Sequence, residues 1–234
     1  MNNAAYVTGF NKVSENEWMW GMEIVAEQSD DFGNFGAYMS RNFSSTVIRS
    51  GPKAINKVLY NSFAATDIRK KVFDPTGAHT ALALPSNFKT KLFTSQKFLA
   101  VSNADSRCDV PLMRAAEMYL IEAEALARSG QEPASKIVFK LFESNRNPAY
   151  TGATTTGNAY INEIMRSRRF ELWGEGFRFY DLKRLDLPMD RTGLNHLPTV
   201  ILNTVIVLAG DNKWQLKIPR AEIDASNGLV KQNP

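Results

Sequence analysis

Glu171 and Glu175 stand four residues apart, a spacing that sets two carboxylates on one helix face, where such a pair can divide general-acid and general-base work. Arg168, Arg169 and Arg178 lie close by in sequence, so the same residues also read as a neutralised salt-bridge cluster, which is the reading preferred here. Other reactive types are sparse. His79 and His196 have no partners at metal-ligand spacing. Cys108 is the sole cysteine, which excludes an intramolecular disulfide and a Cys-x-x-Cys pair; with no adjoining His or Lys to favour a thiolate, it reads as a small packing residue. Gly-x-Gly-x-x-Gly, phosphate-loop and Gly-x-Ser-x-Gly patterns are missing from the sequence. The expectation is a protein that is not an enzyme and uses no cofactor or metal.

The 234 residues are enough to bury a sizeable core, and 44% hydrophobic with 22% charged residues is ordinary for a globular chain. The net charge of +4 comes from Lys and Arg spread among Asp and Glu, without the long basic run that nucleic-acid binding favours. The first residues lack the basic start and apolar core of a secretory signal, and no stretch of about 20 apolar residues occurs.

These side chains must be positioned by a mainly helical chain. Residues 16–26 are aromatic and partly alternating, which predicts an extended segment with Trp18 and Trp20 on one face. Residues 30–38 combine turn formers with three rings and predict a loop. Helical spacing returns at 53–60, and short extended pieces are expected within 78–110. At about 112–129, Leu112, Ala116, Tyr119, Leu120, Ala123, Leu126 and Ala127 share a face. A second helix is expected from about Pro133, a good first-turn residue, with Ile137, Val138, Leu141 and Phe142 as its buried stripe. After a small-residue loop at 149–158 come two helices parted at Gly174-Glu175-Gly176, where glycine tolerates a positive φ. Arg178, Asp181 and Arg184 recur at i+3 and can form alternating ion pairs, so with Glu175 they are expected to hold these helices together, with Asp181→Ala costing about 1–3 kcal/mol if the pair is buried. The β-branched run 200–208, a turn at 210–212 and the alternating 214–218 predict a β-hairpin.

Three blocks carry a resemblance. Leu112 to Ala125 contains Arg-x-x-Glu-x-Tyr-Leu-x-x-Ala-Glu-Ala; Glu163 to Arg184 contains an arginine-rich helix, Glu-Leu, Glu-Gly, Arg and Asp-Leu-x-Arg; Ile218 to Ile223 and Gln232-Asn233 form a closing Ile-Pro-x-x-Glu-Ile and Gln-Asn pair. In this order they resemble the SusD/RagB family of outer-membrane glycan-binding lipoproteins, and Asp67-Ile68-Arg69 is similar to its Asp-x-Arg segment. One segment departs: Asn145-Arg146-Asn147-Pro148 stands where the family often has Arg-x-Arg-Ala-Gly.

The resemblance implies a mainly α, SusD-like fold of tetratricopeptide-like helical hairpins with small β-hairpin additions. Within residues 1–234 it implies a mixed segment 1–110, helical hairpins 111–190, and a β-hairpin and tail 191–234. It further implies a C-terminal portion of a longer precursor or an unusually short relative, largely helical on its own and prone to associate through surface that the other half would cover. The implied function is a glycan- or oligosaccharide-binding subunit at the outer face of the outer membrane. Its lipid anchor is absent from these residues, and it would pass substrate to a TonB-dependent, SusC-like transporter partner, with no nucleic acid involved. The alternative is a helical-repeat module that binds only proteins. Sugar binding needs flat apolar faces beside amides and carboxylates. Phe32, Asn34, Phe35 and Tyr38, beside Asp31, supply both and are the candidate ligand-binding residues, whereas Trp18 and Trp20 are assigned to packing.

Overall fold

The computed structural model describes residues 3–29, 33–86, 88–193, 195, 199 and 201–234. They form two compact units, Met1–Glu175 and Gly176–Pro234. The boundary falls inside the glycine turn and so divides the 111–190 stretch.

In the first unit the order is α1 (Asn3–Tyr6), β1 (Trp18–Met22), α2 (Phe35–Met39), α3 (Thr46–Ser50), α4 (Lys57–Asn61), β2 (Phe73–Asp74), β3 (Thr94–Ser95), β4 (Val110–Arg114), α5 (Ala115–Arg128), α6 (Glu132–Arg146) and α7 (Gly157–Glu171). β1 pairs antiparallel with β4, and β2 with β3. The helix expected from residue 112 starts later because β1 claims Val110–Arg114 as a strand; Ala115 N–H then bonds Glu17 O at 2.9 Å. The register runs Trp18 opposite Arg114 and Trp20 opposite Met113, an irregularity that breaks the alternation of side chains. The two tryptophans therefore part: Trp18 packs on the aromatic core, and Trp20 is 62% exposed, against the expectation of a shared inward face. Between 30 and 38, α2 replaces the tail of the expected loop because Asn34 caps it, accepting from Ala37 N–H at 2.9 Å.

Two apolar cores organise this unit. One joins Tyr6, Phe10, Leu59, Phe63 and Phe98 to Phe170 of α7, whose ring stacks on Phe63 at 3.8 Å. The other holds α5, α6 and α7 together through Ala116, Leu120, Ala123, Phe139, Phe142, Tyr160 and Ile164. Ser135 Oγ lies within hydrogen-bond reach of Ala123 O at 2.6 Å and Tyr160 Oη at 2.8 Å, tying all three helices. The buried stripe of α6 is thus Ser135–Phe139–Phe142–Arg146. Ile137 is 73% exposed and Leu141 also faces out, which corrects the predicted stripe. Both faces of α6 carry apolar residues, so periodicity alone does not choose between them; the larger rings occupy the core.

The second unit contains α8 (Phe177–Arg184), β5 (Met189–Asp190), β6 (Ile206–Val207) and α9 (Arg220–Ala225). Gly174 and Gly176 both have positive φ, at 79° and 89°, as the helix break requires. The predicted hairpin between 200–208 and 214–218 is not formed. β6 pairs with β5, while Asp211 caps a 3-10 turn at Asn212–Trp214 and Trp214 Nε1–H donates to Leu208 O at 2.7 Å, which folds the expected second strand into a turn. The closing motif has a mechanical role. The Gln232 side chain accepts from Ile218 N–H at 2.9 Å and donates to Ile218 O at 3.0 Å, and Asn233 Nδ2 donates to Leu216 O at 2.7 Å. Two amides thereby fasten the tail to the segment before Pro219.

Candidate functional site

The densest set of ionisable groups lies inside the first unit. Arg114, at the strand-to-helix junction, reaches Glu17 at 2.6 Å, Glu171 at 2.9 Å and Glu175 at 2.7 Å. Arg146, in the last turn of α6, holds Glu17 at 2.6 Å and Glu171 at 3.0 Å. Arg69 takes Asp67 and Glu143, both at 2.7 Å, and approaches Glu171 at 3.8 Å. Lys97 bonds Glu175 at 2.5 Å and the carbonyls of Glu171 and Trp173. Aromatic faces roof the cluster: Tyr6 lies 4.9 Å under the Arg146 guanidinium, and Phe10 lies 5.1 Å from that of Arg114.

The Glu171–Glu175 pair is therefore a salt-bridge site, but not with the predicted partners. Arg168 instead pairs with Glu117 at 3.0 Å. The true partners are far off in sequence and no local spacing announces them. Burial alone would raise the Glu171 carboxyl, yet Arg146 and Arg114 outweigh it and hold the group well below its ordinary value. Glu175 is likewise lowered, burial being overcome by Arg114 and Lys97. Lys97 is lowered, by burial first and by neighbouring Arg114, against the pull of Glu175. Glu171 has no exposed surface, so these carboxylates are anchored anions and present no acid or base to a substrate.

This arrangement fixes a pH dependence. A carboxylate whose folded pKa is depressed contributes stability above its unfolded pKa of about 4.3, and that contribution is lost as pH falls towards the folded value. Unfolding free energy should accordingly be flat near neutrality and decline steadily below about pH 4.3. Urea titrations between pH 7 and pH 3 test this; an unchanged midpoint across that range would contradict it.

His79, one of the two histidines, is buried, with Nδ1 3.0 Å from Gln96 Oε1 and Nε2 2.6 Å from Thr94 Oγ1. His196 lies outside the described residues. Cys108 is buried and free, its thiol pushed up to about 12 by burial and by Asp109. Among the described residues no group of three His, Cys, Asp or Glu is placed to hold a metal.

The described candidate ligand-binding residues differ in exposure. Phe32 lies outside the described residues. Asn34 commits both ends of its amide, accepting from Ala37 N–H and donating to Ser106 Oγ at 2.7 Å. Phe35 meets Phe98 edge-on at 4.9 Å and packs on the aromatic core. Tyr38, on the outer face of α2, is 44% exposed and offers its ring to solvent. Trp20, assigned to packing from sequence, is also exposed, as is Tyr119, which the sequence placed on the buried face of α5.

The sequence profile of the SusD family matches residues 76–234. The chain belongs to the SusD family. Its fold is similar to that of a SusD-like carbohydrate-binding protein from Bacteroides vulgatus, with 20% identity and a TM-score of 0.78 over 98% of this chain and 52% of that one. A SusD superfamily protein from Bacteroides thetaiotaomicron matches at 22% identity and a TM-score of 0.75, over 100% and 52% of the two chains. Surface glycan-binding protein A of Bacteroides thetaiotaomicron, solved in complex with laminarihexaose, matches at 19% identity and a TM-score of 0.66, over 97% and 54%. The chain thus spans about half the length of these relatives. A search of curated protein sequences returns no match. The SusD motifs now have a physical meaning here: Arg114 and Glu117 of the first block interlock with Arg168, Glu171 and Glu175 of the second.

Proposed function

We propose that this SusD-family chain serves glycan capture without catalysis, as part of an uptake complex at the outer face of the outer membrane that passes oligosaccharide to a TonB-dependent, SusC-like transporter. What supports capture is the exposed Tyr38 ring, held on a capped helix, in a fold shared with a surface glycan-binding protein solved in complex with laminarihexaose. What supports a binding role over chemistry is that the paired carboxylates are sealed under guanidinium groups. A second reading, a protein-interaction module, draws on Ile137 and Leu141, which stand exposed on α6.

Calorimetric titration with hexasaccharides of β-1,3-, β-1,4- and α-1,4-linked glucose tests the proposal. Tyr38→Ala should weaken binding roughly two- to tenfold, as expected for one lost ring contact. Phe35→Ala is a poor companion variant, because it removes a ring of the core. Unaltered affinity in a folded Tyr38→Ala protein would exclude this ring. Failure of every glycan to bind, with Ile137→Asp abolishing capture by a transporter, would favour the interaction module.

A further inference from the structure

The second unit contains an open groove of about 700 Å³, within the roughly 300–1,000 Å³ typical of small-molecule sites. One wall comes from α8, which carries Phe179, Tyr180 and Lys183; the other comes from the turn around Asp211, Trp214 and Gln215, with Leu182 and Asn233 also lining it. The rings form a continuous run. Phe179 meets Tyr180 at 5.5 Å and Trp214 at 5.7 Å. Trp214 is fixed by its indole N–H on Leu208 O, so its orientation is set before any ligand arrives. Tyr180 is 67% exposed at the rim.

The polar groups are of a particular kind. Asp186 and Gln215 also line the groove, which puts a carboxylate and an amide on the same surface as the rings. Lys183 is the one cationic side chain lining it among the described residues, and its ammonium lies 5.5 Å over the Phe179 ring and 3.4 Å from Trp214 O. A single engaged lysine does not make a phosphate site. Rings flanked by carboxylate and amide suit a neutral polyol with one apolar face: C–H groups lie on the ring and hydroxyls bond to Asp and Gln.

We infer that the groove between α8 and the 209–216 turn is a second glycan subsite, with Tyr180 and Trp214 as its stacking faces and Asp186 and Gln215 as hydroxyl partners. It rests on the capture reading above but occupies a different unit from Tyr38.

The test is a titration of the whole chain with laminarihexaose, cellohexaose and maltohexaose by calorimetry and by the indole ¹H–¹⁵N resonances, with Trp214 assigned through Trp214→Phe. The Trp214 resonance should move on titration with whichever hexasaccharide binds. Tyr180→Ala should raise Kd about three- to tenfold, and Asp186→Asn should weaken binding further in combination. Trp214→Phe, which keeps a flat ring, should bind better than Trp214→Ala. Tyr180 is a rim residue, so its variant reports even if Trp214→Ala fails to fold. A folded Tyr180→Ala protein with parental affinity and a stationary Trp214 resonance overturns the groove while leaving Tyr38-based capture standing. Absence of binding by the parent to all three overturns the capture reading, and the groove with it.

Discussion

Glu171→Ala should lower the unfolding free energy by about 3–5 kcal/mol, the range for breaking a buried ion pair from one side. Glu171 is fully buried and receives charge from Arg114, Arg146 and, at 3.8 Å, Arg69. Truncation leaves those guanidiniums in a low-dielectric interior with less compensating charge, and the loss exceeds whatever the intact pairs contribute net of their desolvation. Glu171→Gln retains the shape and some hydrogen bonds and should fall between parent and Ala. The exposed i,i+4 pair of Arg220 with Asp224 supplies the contrast, since Arg220→Ala should change stability by less than about 1 kcal/mol. Urea unfolding of the three variants orders them; a Glu171→Ala loss as small as that of Arg220→Ala would show that water or relaxation compensates the site.

That ordering also explains which parts of the fold were legible in the sequence. Pro133 in the first turn and the Gly174–Gly176 break act over a few residues, so their consequences could be read locally. The family motifs were legible as patterns, but their partners were not. Glu171 meets Arg114 from 57 residues away, and Arg146 meets Glu17 from 129, distances over which spacing carries no information. Arg146 belongs to the very segment where the family pattern departs, yet it serves the same buried network. The face of α6 was misread for a related reason: Ile137 and Phe139 both fit an apolar stripe, and only packing against Tyr160 on α7 selects Phe139. Among the candidate ligand-binding residues, ring type was visible and exposure was not. Phe35 and Tyr38 are three apart on one short helix, and contact with Phe98 decides that the first turns inward.

Gly36→Ala should loosen the segment that presents Tyr38, although alanine is the better helix former. Gly36 is buried in α2, where a Cβ would run into the Ser106 carbonyl and lie 2.9 Å from Cys108 Cβ. Helix propensity favours alanine by about 0.8–1.0 kcal/mol, whereas overpacking against backbone costs about 1–3 kcal/mol. The clash wins because a carbonyl on the main chain cannot rotate away as a long side chain would. Displacing α2 from Ser106 also strains the Asn34–Ser106 hydrogen bond that anchors the helix start. Cys108 provides a direct readout. In the parent its thiol is buried and its ionisation suppressed, so a thiol reagent at pH 8 should label it only on unfolding. The Gly36→Ala protein should melt several degrees lower and label Cys108 faster than global unfolding permits, because separation of α2 uncovers the sulfur without unfolding the α5–α7 core. An unchanged melting temperature together with a fully protected thiol would mean that α2 accommodates the methyl group in place, and that its contact with Ser106 is not what positions Tyr38.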